Sequence, residues 1–206
     1  MRGKFITFEG SEGCGKSTQS KLLYEYLKDK GHKVIYLREP GGTRISERIR
    51  QVLLDPENHM TKECEMLLYM AARSQIADGL IKPALKQGKV VICDRFLDST
   101  LAYQGYGLGM DIDFIKRLGK FVCCGLKPDL TILMDLPVRE GLKYRHLKED
   151  RIEQRSFVYH ERVRRGYLKL AKQEAKRIKI VKVQADKSKT QDNIREVVEK
   201  YVIQRH

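Results

Sequence analysis

The residues at positions 10–17 could bind the phosphates of a nucleoside triphosphate. They read Gly-Ser-Glu-Gly-Cys-Gly-Lys-Ser and match the pattern G-x-x-x-x-G-K-[ST] in full. In this pattern the glycines let the backbone aim its N–H groups inward, the lysine reaches the β- and γ-phosphates, and the hydroxyl ligates Mg²⁺. The predicted nucleotide-binding set is Gly10, Ser11, Glu12, Gly13, Cys14, Gly15, Lys16, Ser17 and Thr18.

An acidic and a basic residue form a second candidate site. The segment Lys89-Val-Val-Ile-Cys-Asp94 predicts a buried strand, and Arg95 follows it directly. An Asp at the end of a strand opposite a phosphate loop commonly orients the Mg²⁺ shell, although a simple turn residue is the alternative. Arginine offers a planar donor fork for two phosphate oxygens. We therefore predict a metal site at Ser17 and Asp94 and a phosphate contact at Arg95.

The elements around these residues have the patterns needed to position them. The apolar segment 4–9 predicts a buried parallel strand before the glycine loop, and an apolar face predicts a helix after it. A helix N-terminus at this point adds positive potential for an anion. A chance glycine-rich turn is the alternative, but it leaves both flanking patterns unexplained.

Strands and helices alternate along the rest of the chain without a linker, repeat or low-complexity tract. Further strands are predicted at 33–38, 129–135 and 178–183, and further helices at 63–77, 81–87, 152–177 and 191–202. This alternation predicts an α/β fold, with a mostly parallel five-stranded sheet covered by helices on both faces. Ligands of such sheets bind beyond the carboxyl ends of the strands, where the pairs Glu9–Gly10, Arg38–Glu39 and Asp94–Arg95 should converge. We expect one domain over 1–206.

Composition limits the class of protein further. The 206 residues are 41% hydrophobic, which supports a globular core, and no apolar run approaches membrane-spanning length. No signal peptide is expected, because residues 1–4 lead straight into the first strand. Five cysteines without zinc-finger spacing predict reduced thiols and a cytoplasmic protein. Lys16 and the helix N-terminus could lower the pKa of the Cys14 thiol, although a tolerated small residue is the simpler explanation.

The formal net charge of +14 indicates an anionic partner. The basic residues are spread over predicted helices among acidic residues, so a solvated surface and phosphate-bearing substrates account for them. We expect neither a nucleic-acid nor a membrane partner. A nucleic-acid-binding phosphate-loop protein stays open as an alternative, because the charge alone would fit it.

Three longer segments resemble the bacterial thymidylate kinases. They are Phe-Glu-Gly-x-Glu-Gly-x-Gly-Lys-Ser-Thr at 8–18, Arg-Glu-Pro-Gly-Gly-Thr at 38–43 and Asp-Arg-Phe-x-x-Ser-x-x-Ala-Tyr-Gln-Gly at 94–105. Matches at 68–73 and 150–153 extend the likeness over nearly the whole chain. The resemblance implies a P-loop kinase three-layer sandwich with a small lid, and a homodimer. It also implies transfer of the γ-phosphoryl group of ATP to dTMP, with Mg²⁺ as cofactor.

The resemblance further implies which residues contact the nucleoside of dTMP. Tyr69 would stack on the thymine ring, and Arg73, Thr100 and Gln104 would contact the edge of the base. Tyr103 would crowd the 2′ carbon of the sugar and disfavour ribose. A sibling kinase with another base preference stays open as an alternative, and it would differ at Arg73, Tyr103 and Gln104.

Other positions that match the family would surround the 3′-hydroxyl, the metal and the 5′-phosphate. These are Glu12, Glu39, Arg50 and Arg95, with Arg48 as the alternative to Arg50. A nucleoside kinase is a further alternative, in which Glu39 would have to act as a general base on a neutral hydroxyl. The complete dTMP-binding set is Glu39, Arg50, Tyr69, Arg73, Arg95, Ser99, Thr100, Tyr103 and Gln104.

One position departs from part of the family. Some members carry an arginine in the phosphate loop where this chain has Gly13, and members with glycine there have basic residues in a mobile lid. The resemblance therefore implies a lid at about 143–152, with Arg145, Lys148 and Arg151 as candidates for the cation at the transferring phosphoryl group. The predicted catalytic set is Lys16, Arg95, Glu12, Arg145 and Arg151.

Overall fold

The computed structural model describes residues 2–144 and 150–200, which form an α/β fold around one five-stranded sheet. The strands are β1 Phe5–Glu9, β2 Val34–Arg38, β3 Val90–Asp94, β4 Leu130–Asp135 and β5 Ile178–Lys182. Their order is β2-β3-β1-β4-β5, and every neighbouring pair is parallel. The predicted fold class is confirmed, and each predicted strand lies within one residue of its observed bounds.

Nine α-helical segments and three short π or 3₁₀ segments connect the strands in the described part of the chain. The α-helices are α1 Lys16–Asp29, α2 Arg44–Leu54, α3 Lys62–Ile76, α4 Lys82–Lys86, α5 Leu97–Thr100, α6 Ile112–Val122, α7 Val138–Gly141, α8 Phe157–Gln173 and α9 Lys187–Val198. A π-helical turn at Ala77–Ile81 joins α3 to α4, another at Leu101–Gly107 continues α5, and a 3₁₀ turn at Leu142–Tyr144 follows α7.

Helices cover both faces of the sheet, as the apolar strands predict. Successive residues of a strand point to opposite faces. Accordingly, Ile6 packs in a core cluster with Leu23 of α1 and Ile194 of α9. Its neighbour Phe5 packs on the other face with Ile81, at the end of the π turn. The core therefore has two layers, one on each side of the sheet.

The helix prediction is wrong in several places. The helix predicted at 191–202 begins earlier, as α9 at Lys187. The helix predicted at 152–177 begins only at Phe157, because residues 151–154 form a turn and Ser156 caps the helix through a hydrogen bond from the Tyr159 backbone N–H. The helices at Leu97–Gly107 and in α6 were not predicted. The polar segment after Arg95 lacks a clear apolar period, whereas α6 has one, at Ile112, Ile115 and Leu118, that the sequence analysis overlooked. None of the described helices is long and apolar enough to span a membrane.

Candidate active site

A cavity of about 840 Å³ opens at the carboxyl ends of the strands. Its lining includes a residue from the segment after each of the five strands: Glu12, Glu39, Arg95, Leu136 and Val183. Ligand sites of parallel α/β sheets lie at this edge. The convergence expected from the sequence is therefore present in the fold.

The phosphate loop lies between β1 and α1 and lines this cavity. Gly10, Gly13 and Gly15 have positive φ angles of 146°, 72° and 82°, so the loop uses backbone conformations that favour glycine. Lys16 starts α1, and its Nζ donates to the Ser11 carbonyl at 2.7 Å. The loop thus presents a helix N-terminus and an ammonium group, which together attract a polyphosphate.

The thiol in this loop is a buried, inert residue. Cys14 is 1% exposed, and burial raises the pKa of its thiol despite the opposing effect of Lys16. A raised pKa keeps the sulfur protonated at neutral pH. The alternative that the loop activates Cys14 is wrong, and the explanation as a tolerated small residue holds.

The phosphate loop leaves no room for a side chain at Gly13. A Cβ atom at this position would lie 1.9 Å from the carbonyl oxygen of Gly141, at the end of α7. The same close approach is seen from the other backbone, because a Cβ atom at Gly141 would lie 2.4 Å from the carbonyl oxygen of Glu12. This close approach of two backbones explains why the chain has no arginine in the loop.

The two residues of the predicted metal site are in direct contact. The Ser17 hydroxyl donates to Oδ2 of Asp94 at the end of β3. The other oxygen of Asp94, Oδ1, is buried and has no hydrogen-bond partner in the described part of the chain. A hydroxyl beside a free carboxylate oxygen fits Mg²⁺, which prefers oxygen ligands and keeps several waters and substrate phosphates.

Arg95 has an unusual backbone that several contacts hold in place. Its φ angle is 71°, and its backbone N–H donates to the Phe8 carbonyl at 2.9 Å. The guanidinium donates to Oε1 of Glu12 at 2.6 Å and lies over the Tyr103 ring, 5.0 Å from its centroid. These contacts fix a cation beside the phosphate loop.

The Glu12 carboxylate is the counter-ion of this cation. Burial alone would raise the pKa of Glu12, but Arg95 and Lys16 together lower it to about 2. Tyr103 also donates its hydroxyl hydrogen to the same oxygen at 2.7 Å. The predicted sugar residue and the predicted phosphate residue therefore share one acceptor.

Glu9 supports the site from below the cavity lining, a role that the sequence analysis did not assign when it placed this residue among the converging strand ends. It is 0% exposed and accepts hydrogen bonds from the Phe96 backbone N–H at 2.7 Å, the Ser99 hydroxyl at 2.6 Å and the Tyr167 hydroxyl at 2.8 Å. Ser99 in turn accepts from the Arg95 guanidinium at 3.3 Å. Glu9 thus anchors both the backbone after Arg95 and its side chain. An acid at the end of an apolar strand was the available signal.

The charge on Glu9 should make stability depend on pH. Burial, together with the Asp98 carboxylate, raises the pKa of Glu9 from 4.5 to about 7. The folded chain then binds a proton that the unfolded chain has lost, so the stabilisation is full below pH 4.5 and disappears as the pH rises through 7. Relative to Glu9→Gln, the wild-type free energy of unfolding should fall by about 3 kcal/mol over this range. Chemical denaturation at a series of pH values measures it, and a pH-independent difference would contradict it.

On the β2–β3 side, most of the predicted dTMP-binding residues line the cavity. These are Glu39, Arg50, Tyr69, Arg95, Ser99, Thr100, Tyr103 and Gln104. Arg50 also donates to the Pro40 carbonyl at 3.1 Å. Its alternative Arg48 does not line the cavity, so the geometry favours Arg50.

Arg73 lies behind the cavity wall instead of on its surface. Its side chain is buried, and it donates to Glu39 at 2.7 Å, to the Thr100 hydroxyl at 3.0 Å and to the Phe96 carbonyl at 3.0 Å. Burial raises the pKa of Glu39 to about 7, against the opposing effect of Arg73. In this conformation Arg73 braces two lining residues, and its contact with a base edge stays a prediction.

Of the three lid candidates, the structure describes one. Arg145 and Lys148 lie outside the described residues. Arg151 donates to the Leu53 carbonyl at 2.9 Å and pairs with Glu65 at 2.6 Å. The structure therefore places Arg151 against α2 and α3, and does not bring it to the phosphate loop.

On the β4–β5 side, the sequence analysis missed the lining residues altogether. They are Leu136, Val183, Gln184, Ala185, Lys187 and Thr190. Leu136, Val183 and Ala185 are apolar, whereas the other three are polar, and no motif marks any of them. Because β1 lies between β3 and β4, the cavity has a β4–β5 half and a β2–β3 half, with the phosphate loop between them.

Comparisons with known proteins agree with this geometry. The family model for thymidylate kinase matches residues 8–194. The thymidylate kinase of Thermoanaerobacter sp. (strain X514) is 43% identical over 203 residues, which cover 98% of this chain and 100% of that protein. The thymidylate kinase of Geotalea daltonii is 53% identical over 190 residues, covering 87% of this chain and 88% of that protein.

A solved structure shares the fold as well. The crystal structure of thymidylate kinase from Ehrlichia chaffeensis matches with a TM-score of 0.81 and 35% sequence identity, covering 97% of this chain and 100% of that chain. The family match, the relatives and the shared fold extend over the phosphate loop and both halves of the cavity. The chain belongs to the thymidylate kinase family.

Proposed function

We propose that this chain transfers the γ-phosphoryl group of ATP to the 5′-phosphate of dTMP, giving ADP and dTDP. The observation that carries the proposal is the cavity at the end of the sheet, in which the phosphate loop lies between the β2–β3 half and the β4–β5 half. Two nucleotides bound on opposite sides of the loop would meet with their phosphates above Lys16 and beside Arg95. This is the arrangement that direct phosphoryl transfer requires.

The β4–β5 half of the cavity is proposed to hold the adenosine of ATP. Leu136, Val183 and Ala185 offer apolar surface for a purine ring, and the loop Gly10–Thr18 takes the phosphates. The helix N-terminus at Lys16 supports this assignment, because its free N–H groups favour an anion.

The β2–β3 half of the cavity is proposed to hold dTMP. The half-buried ring of Tyr69 provides a surface for stacking on thymine, and Gln104 provides an amide for its edge. Tyr103, held by Glu12 and Arg95, would lie beside the sugar. Arg50 and Arg95 would bind the 5′-phosphate.

Mg²⁺ is proposed as the cofactor, held by Ser17 and oriented by Asp94. The unpartnered buried Oδ1 of Asp94 supports this assignment. When bound, the ion would neutralise charge on the β- and γ-phosphates of ATP. The side chains of Ser17 and Asp94 would fix its position relative to the loop.

The proposed mechanism needs no general base, because a phosphate monoester is already a nucleophile near neutral pH. Catalysis would come from alignment of the two phosphates and from cations facing the equatorial oxygens of the transferring group. Lys16 and Arg95 supply two of these cations. Glu12 would keep Arg95 in place and charged.

A further cation is proposed to come from a lid at about 143–152, within one domain formed by the whole chain. Arg145 and Arg151 are the candidates. Arg151 pairs with Glu65 in this structure, so it would serve only if that ion pair opens when substrate binds. Lid closure would also exclude water and suppress ATP hydrolysis.

A homodimer and a cytoplasmic location complete the proposal. The adjacent helices α3 and α6 expose Leu67 and Phe114, which are 52% and 44% accessible and could form a subunit interface. All five cysteines are free, as a reducing compartment would keep them.

The substrate assignment is tested by comparing kcat/KM for a panel of nucleoside monophosphates with ATP as donor. The panel contains dTMP, dUMP, dCMP, dGMP, dAMP and ribothymidine monophosphate. We expect dTMP to have the highest value, since stacking, edge contacts and the sugar contact all act on it. A higher value for a purine nucleotide would contradict the assignment and favour a sibling kinase.

A further inference from the structure

One buried carboxylate connects Gln104, on the wall of the cavity, with two arginines of the segment 151–155. Glu65 on α3 is 1% exposed. Its Oε1 accepts from Nε2 of Gln104 at 2.8 Å. Its Oε2 accepts from Arg151 at 2.6 Å and from Arg155 at 2.5 Å. Each oxygen of this carboxylate therefore has a donor partner.

This arrangement determines which way the Gln104 amide faces. An ionised carboxylate can only accept hydrogen bonds, so Gln104 must turn its NH₂ group toward Glu65. The carbonyl Oε1 of Gln104 then lies on the opposite side of the amide. Because Gln104 lines the cavity, a hydrogen-bond acceptor is directed toward the base site.

An acceptor at this point discriminates between pyrimidines. The base edge of thymine has a single donor, its N3–H, between two carbonyl oxygens. Cytosine has an unprotonated ring nitrogen at the same position, which would face the Gln104 oxygen with no hydrogen between them. A buried acceptor left without a donor disfavours the wrong base strongly.

We propose that Glu65 is a specificity-determining residue, which orients the Gln104 amide so that the site selects thymine over cytosine. This inference rests on the proposed function, since it assumes that the base of the acceptor nucleotide lies against Gln104. Glu65 would act through Gln104 without contacting the substrate, so it is a positioning residue.

Glu65→Gln gives a directional test. The two arginines still require an acceptor, so the new amide oxygen should take the place of Oε2 and the new amide nitrogen that of Oε1. Gln104 would then have to rotate and direct its own NH₂ group toward the base. We expect the ratio of kcat/KM for dTMP to that for dCMP to fall at least about tenfold, with dCMP improving in absolute terms.

Two further variants separate this effect from damage to the lid or to the fold. Arg155→Met removes one cation from Glu65 but leaves the Gln104 hydrogen bond, so it should preserve the ratio even if kcat falls for both substrates. Glu65→Asp keeps the charge but withdraws the carboxylate from Gln104, so it should lower the ratio. Thermal unfolding identifies any variant that is not folded.

The possible outcomes are distinct. The inference would be overturned if the dTMP-to-dCMP ratio of kcat/KM in Glu65→Gln and Glu65→Asp stayed within about threefold of the wild-type ratio. It would also be overturned if this ratio fell as far in Arg155→Met as in the two Glu65 variants. The proposed base site is tested separately by Gln104→Met. If that variant uses dTMP and dCMP as the wild type does, the base is not bound at this wall, and the proposed function fails at its acceptor site.

Discussion

Replacing Lys16 with alanine is expected to lower kcat at least about a hundredfold while the chain stays folded. Lys16 lines the cavity, and its ammonium group donates to the Ser11 carbonyl at 2.7 Å, beside the place where phosphates would bind. Its loss removes a positive charge that would face the transferring group and removes little apolar packing. Steady-state kinetics with ATP and dTMP measure the effect, and thermal unfolding confirms that the variant is folded.

Lys21→Ala is the matched control for this variant. Lys21 lies on the same helix, α1, with its side chain exposed to solvent and away from the cavity lining. It should retain wild-type kcat. If Lys16→Ala keeps more than about a tenth of wild-type kcat, the barrier has changed by less than about 1.4 kcal/mol, and the phosphate role of Lys16 is wrong.

Arg95→Ala is expected to lower kcat/KM by about a hundred- to a thousandfold. The guanidinium lies between Glu12, the Tyr103 ring and the carboxyl end of β3. Its removal would leave the half-buried Glu12 carboxylate without the guanidinium that pairs with it, so negative charge would increase beside the substrate phosphate. Arg95→Lys should restore only part of the activity, because an ammonium group lacks the planar donor fork.

Arg164→Ala provides a control with a similar ion pair outside the cavity. Arg164 donates to both oxygens of Asp135 at 2.8 and 3.0 Å, and it does not line the cavity. Its removal should reduce stability but leave kcat/KM within a few-fold of wild type. An equal loss in both variants would mean that Arg95 acts through the fold and not through the substrate.

The parts of this molecule that could be predicted from sequence are those that local patterns encode. The strands are short apolar runs bounded by turn residues, and the parallel arrangement places their carboxyl ends together. Lys16 was found because it lies at a fixed position in the motif that follows β1, and Asp94 because it ends the apolar strand β3. The phosphate loop was found because its backbone geometry demands glycine at particular positions.

The contacts that could not be predicted join residues far apart in the chain. Tyr167 donates to Glu9 across 158 positions, and Arg155 donates to Glu65 across 90. No periodicity or motif encodes such pairs, since only tertiary packing brings them together. The same limit applies to the hydrogen bonds by which Arg73 braces Glu39 and Thr100, while its predicted contact with the base edge stays a prediction.

The central claim of this account is that the γ-phosphoryl group of ATP is transferred to dTMP, and a labelling experiment tests it most directly. The full chain is incubated with Mg²⁺, dTMP and ATP labelled in its γ-phosphate, and the products are separated. We predict that the label enters dTDP in a one-to-one ratio with the ADP formed, and that Lys16→Ala and Arg95→Ala slow the formation of both products together. Release of the label as inorganic phosphate without labelled dTDP would contradict the account.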